Sequence, residues 1–147
     1  MRTINIAIGT AFSTPSGPGI GACLIEMADG RPALERAIDI GGRSQASAIV
    51  HVATMALCTT RRGLEISREL LDVTPGPVRI NVDPDVADLL SEEASGTAEF
   101  DGLLDELAML ESMDVAVDLL GHVSGANPRD MAADALRCRN LLHEIAG

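Results

Sequence analysis

The chain has 147 residues, 46% of them hydrophobic, which suits one globular domain with a two- or three-layer core. It contains no lysine. Its 11 arginines face 22 aspartates and glutamates for a formal charge of -11, which excludes a general attraction to phosphate backbones or anionic lipid.

With two Phe and no Tyr or Trp, the core falls to Leu, Ile, Val, Ala and Met. Ile4, Ile6 and Ile8 alternate with Asn5 and Ala7, the period of a first strand with one face on a core. Thr10 to Gly19 is turn chemistry. Gly21 to Met27 is a nearly continuous apolar run and predicts a central second strand. Asp29-Gly30 is a hairpin signal, and Ala33 to Ile40 predicts a third strand, closing an antiparallel meander. Gly41 to Ser44 is a turn that offers Ser44 as a helix N-cap. From Gln45 to about Arg61 the pattern is helical, with Ala46, Ile49, Val50, Ala53 and Leu57 on one face. Gly63 interrupts it, and Leu64 to Leu71 predicts a short second helix.

Val78, Ile80 and Val82 alternate with Arg79 and Asn81 in a fourth strand, at the end of which stands Asp83. Pro84 then occupies the first position of a helix reaching about Ala94, with Val86, Leu89 and Leu90 as its apolar face. Phe100 to Met113 is again helical, with Leu103, Leu104, Leu107 and Leu110 as the apolar side. Val115, Val117 and Leu119 predict a fifth strand. A loop through His122 leads to Asn127 as a cap and Pro128 as the opening of a last helix to Ile145. The order βββ-α-β-α-α-β-α over residues 1–147 predicts a single α/β domain, a five-stranded mixed sheet with helices on both faces.

Cys23, Cys58 and Cys138 are odd in number and widely spaced, without zinc-ligand spacing, and read as buried free thiols of a reducing compartment. The N-terminal stretch lacks the pattern of a signal peptide, and no 18-residue apolar run exists, so the expected location is cytoplasmic, off the membrane. The absence of lysine excludes a Walker A loop. No Gly-x-Ser-x-Gly elbow exists, and the glycines at 17, 19 and 21 lead into a strand, not a helix.

Four local motifs fall in order along this element pattern. They are Ser16-Gly17-Pro18-Gly19-Ile20-Gly21-Ala22 before the second strand, Val82-Asp83 after the fourth, Leu120-Gly121-His122-Val123-Ser124-Gly125, and Ala133-Asp134-Ala135-Leu136 in the last helix. Together they resemble the ribonuclease H family over nearly the whole chain. The resemblance implies the strand order 3-2-1-4-5, with the first three strands antiparallel and the fourth parallel to the first. It also implies a site of four carboxylates around two Mg²⁺ ions, which hold the attacking water and the leaving oxygen on opposite sides of one phosphorus. Asp83 and Asp134 match two of the four as metal ligands, and His122 matches a residue that assists proton transfer or product release. The acid of the first strand falls at Ile8 or Gly9, and that of the first long helix at Ala48. Neither element carries a nearby acid as substitute.

The residues themselves leave alternatives open. Asp83 reads equally as an N-cap ahead of Pro84, Asp134 as a solvated boundary residue, and His122 as a surface loop residue. His51 and His143 read as boundary residues of helices. Between Arg79 and Arg129 there are 12 acidic residues and no basic one, and the stretch from Ser91 to Asp101, where family members often carry a basic handle, is acidic. The expectation is therefore a ribonuclease H-like domain without two-metal catalysis, which binds a protein partner or itself. Its cofactor is none, or a weakly bound Mg²⁺ or Mn²⁺ held by one or two carboxylates with help from a substrate phosphate. The alternative is a metal-dependent ribonuclease cleaving RNA in RNA–DNA hybrids through Asp83, Asp134 and His122. A one-metal phosphoesterase would rest on the same two carboxylates.

Overall fold

A computed structural model of the chain describes residues 2–12, 19–27, 32–40, 44–71, 78–83 and 95–119. The elements in chain order are β1 (Arg2–Phe12), β2 (Gly19–Met27), β3 (Pro32–Asp39), α1 (Gln45–Leu71), β4 (Val78–Asp83), α2 (Glu99–Ser112) and β5 (Val115–Asp118). The expected helices near 84–94 and 128–145 lie outside the described residues. The sheet order is β3-β2-β1-β4-β5. β1 pairs antiparallel with β2 and β2 with β3, while β4 runs parallel to both β1 and β5. This is the arrangement the resemblance implied.

Alternation sorts the two faces of the sheet. In register, Ile4 lies beside Ile80, Ile6 beside Val82 and Ile25, and Val78 beside Val115, so these side chains share one face. All are at most 5% exposed, and α1 and α2 cover them, α1 across β1 and β2, α2 against β5 and α1. Ser44 caps α1 as its position predicts: the Ser47 N–H donates to Ser44 Oγ at 3.1 Å and the Ala48 N–H to the Ser44 carbonyl at 2.9 Å. Inside α1 the hydroxyls of Thr54, Thr59 and Thr60 each donate to the carbonyl four residues back, which satisfies them in a half-buried helix. No helix among the described residues is long and apolar enough to cross a membrane.

Two details differ from the expectation. Gly63 does not break the helix; α1 runs unbroken for 27 residues. A glycine in a helix interior costs only about 1 kcal/mol, and tertiary contacts hold the helix on both sides of it. Leu64 is buried one residue later, and Arg61 is tied across to α2 two residues earlier. In α2, Leu104 is 47% exposed, whereas Glu106 is buried in the stripe with Leu103 and Leu110.

Glu106 is buried because Arg61 meets it. Arg61 Nε donates to Glu106 Oε2 at 2.7 Å and a terminal nitrogen to Oε1 at 3.1 Å, a two-point fork. The other terminal nitrogen donates to Glu65 Oε1 at 2.9 Å. The side chains of Arg61 and Glu106 are 12% and 10% exposed. Cys58 is half-buried rather than buried, with its sulfur 3.8 Å from the Arg61 guanidinium, and Cys23 is buried. The Arg61 fork holds the Glu106 carboxyl below the usual carboxylate range against the opposing effect of burial, and Glu106 with Glu65 raises the guanidinium.

Three outcomes follow for stability. Gly63→Ala has open space around the added methyl and should stabilise the protein by about 0.5–1 kcal/mol in a urea titration. Glu106→Gln should cost roughly 2 kcal/mol near neutral pH, because it leaves the largely buried Arg61 guanidinium with only the more exposed Glu65 as counter-charge. The folded carboxyl is the stronger acid, so its contribution is full above its unfolded value near 4.5 and is lost as pH falls through the lower folded value. The gap between wild type and Glu106→Gln should therefore be constant at neutral pH, narrow only below the unfolded value and close below the folded one. Replacing both partners, Arg61→Met with Glu106→Leu, should recover most of the single-variant loss.

Candidate functional site

The resemblance gathers its site where the carboxyl end of β4 meets the middle of β1, which the parallel pairing brings side by side. β4 is short and alternating, and its register on β1 sets Asn81 beside Asn5 and Asp83 beside Ala7. Asp83 is the last residue of β4, at the strand end where the sequence puts it. Its expected capping role toward residue 84 lies outside the described residues. So do His122 and Asp134, and with them the distance from Asp83 to Asp134.

The partner positions are described, and they carry no ligand atoms. β1 from Arg2 to Phe12 contains no acid. Ile8, one of the two positions at which the resemblance would put a carboxylate, is fully buried with the apolar face. Gly9, the other, is buried and lies opposite Ala22 on β2. Ala7, beside Asp83, is 5% exposed. At the amino end of α1, Ala48 is fully buried and the first turn has no acidic residue. The first acid along α1 is Glu65, more than four turns beyond Ala48, and it bonds Arg61. Among the described residues no three His, Cys, Asp or Glu side chains converge on a point that could hold a metal ion. Two divalent cations a few ångströms apart repel each other and need several carboxylates to hold them. The described half of this site does not fit such a pair.

The sheet face opposite α1 and α2 is polar where the site would open. Asn81 Nδ2 donates to Asn5 Oδ1 at 3.2 Å, linking β4 to β1 one pleat before Asp83. Sequence reading placed both asparagines on the polar side of their strands but had no means to pair residues so far apart. Their signal is a carboxamide at the matching position of two apolar strands. Beside them, Arg79 approaches Asp118 of β5 at 3.7 Å. Both side chains are more than a third exposed, so this pair adds at most a few tenths of a kcal/mol. It does oppose Arg79, the sole basic residue between Arg68 and Arg129, with an acid.

No family model matches the sequence, and no curated protein does. Solved structures do. LC11-RNase H1, isolated from compost by a metagenomic approach, matches with a TM-score of 0.56 at 16% identity, over 93% of this chain and 92% of its own. The N-terminal RNase H domain of rv2228c from Mycobacterium tuberculosis matches with a TM-score of 0.52 at 14% identity, over 92% and 99% of the two chains. A foamy viral protease–reverse transcriptase, solved in complex with double-stranded DNA, matches at 0.56 with 13% identity, over 90% and 92%. At such identities the likeness concerns architecture, not chemistry. With the 3-2-1-4-5 sheet and its parallel β1–β4 pair, it establishes that this chain has the ribonuclease H-like fold.

Proposed function

We propose that this ribonuclease H-like chain has lost two-metal nuclease catalysis and works by binding, to a protein partner or to a second copy of itself. The observation that carries the reading is the absence of an acid at the two positions where the resemblance would put one. Gly9 offers no side chain, and Ala48 is a fully buried methyl. A carboxylate that bridges both ions cannot be replaced by a more distant group, because the clamp depends on both metals touching one phosphate.

Charge supports the same reading. The described surface of α2 is acidic, with Asp101, Asp105 and Glu111 exposed and no basic residue on the helix. Together with the net charge of -11, it opposes a nucleic acid strand rather than steering it.

The second reading is a metal-dependent ribonuclease acting on the RNA of RNA–DNA hybrids, with Asp83 and Asp134 as ligands of Mg²⁺ or Mn²⁺ and His122 assisting. What favours it is the position of Asp83, an acid at the carboxyl end of β4 beside β1 in a fold shared with RNase H structures. Cleavage separates the two. Wild type with Mg²⁺ or Mn²⁺ should leave a labelled hybrid at background, and Asp83→Asn and Asp134→Asn should change nothing. Robust turnover by wild type, abolished in both variants, would replace the first reading with the second. In an anisotropy titration at physiological salt, the protein should bind hybrid or duplex more weakly than the 10⁻⁴ to 10⁻⁶ M usual for nonspecific binding. Micromolar affinity would contradict the electrostatic argument.

A further inference from the structure

The amino-terminal half of α1 is closed from water on the side that faces the sheet. Ala48 is fully buried, Ser47 and Ile49 are nearly so, and Val52, one turn on, is fully buried. A methyl built on Gly21 of β2 would overlap Val52 Cγ2, so the Val52 side chain rests directly on the strand backbone there. Ile40 closes the same place from the end of β3: it is fully buried, with Cγ2 3.5 Å from that added methyl, and its N–H donates to the Gly19 carbonyl at 3.0 Å. On the adjacent strand Ile8 is fully buried as well.

We infer that the amino end of α1 is a core element in this chain, so that carboxylates placed at positions 9 and 48 would not assemble a divalent-cation site. The inference rests on the reading that two-metal catalysis has been lost, and goes further: the place of the helix acid is closed within the core, and position 9 is buried. A glutamate at position 48 is longer than alanine by one methylene and a carboxylate, and it would replace a methyl that is fully buried. Overpacking forces the neighbours off their rotamers, and burial favours the protonated carboxyl over the ionised one. A cation bound there would have the opposite effect, favouring the ionised form.

The test uses the full chain with Gly9→Asp, Ala48→Glu, the double variant, and Ala48→Gln, read by thermal unfolding. Ala48→Glu and the double variant should melt roughly 5 °C or more below wild type at neutral pH, and millimolar Mg²⁺ or Mn²⁺ should not restore them. Lowering the pH toward about 5 should recover part of the Ala48→Glu loss, as protonation relieves the buried charge. Ala48→Gln should also melt lower, from size alone, without the recovery in acid. A double variant that fails to fold even with metal present agrees with the inference, since a formed site would stabilise it. A saturable rise in the melting temperature of the double variant with Mg²⁺ or Mn²⁺, absent in wild type, would overturn it. So would an Ala48→Gln variant that melts like wild type. Because the readout is stability, hybrid cleavage by wild type would remove the earlier reading and leave this result to stand or fall separately.

Discussion

The contact on which the arrangement depends is the one between α1 and β2 at Gly21. The helix lies so near the sheet that position 21 has no room for a methyl beside Val52. That approach brings Ile49, Val50, Ala53 and Leu57 down on Ile6, Ile8 and Cys23 as one cluster without exposed members. It also determines where the far end of α1 arrives, and so where Arg61 can reach across to Glu106 of α2. A glycine here is selected by space, since its backbone is ordinary strand paired with Thr10.

Much of this was legible in local patterns. Ile4, Ile6 and Ile8, or Val78, Ile80 and Val82, alternate because one face of each strand is apolar and the other is not, and their burial follows that alternation. Ser44 announced the start of α1 because an N-cap is a local chemical event. The misreadings are equally instructive. Gly63 looked like a stop because intrinsic propensity was all that could be weighed, whereas the helix is held across it by Leu64 and by the Arg61 fork. Leu104 looked like core because hydropathy assigns each residue alone. The fork with Arg61, 45 positions earlier, is what lets Glu106 be buried in the stripe.

The candidate site was legible in outline and less so in substance. The strand end at Asp83 could be read from alternation running out, and the order of strands from the resemblance. Which residues face Asp83 depends on the parallel register, and register between strands so far apart leaves no mark in either strand's own pattern. The structure supplies it for Ala7 and shows Gly9 and Ala48 to be buried. The absence of an acid at those two positions therefore belongs to different physical settings: a strand position without a side chain, and a helix position pressed into the core.

The same parallel register has a consequence for how the chain reaches its fold. Asn81 meets Asn5 across a sequence separation of 76, whereas β1, β2 and β3 are joined by short connections and α1 follows directly. Closing so long a loop costs chain entropy before any rung of the β1–β4 ladder forms in return. The meander and α1 carry far less of that cost, and Gly21 lets them pack on each other without β4. The strand that brings Asp83 beside β1 is thus the one whose arrival is entropically most expensive. β5, hydrogen-bonded in the described sheet to β4 alone, has no strand to pair with until β4 is there.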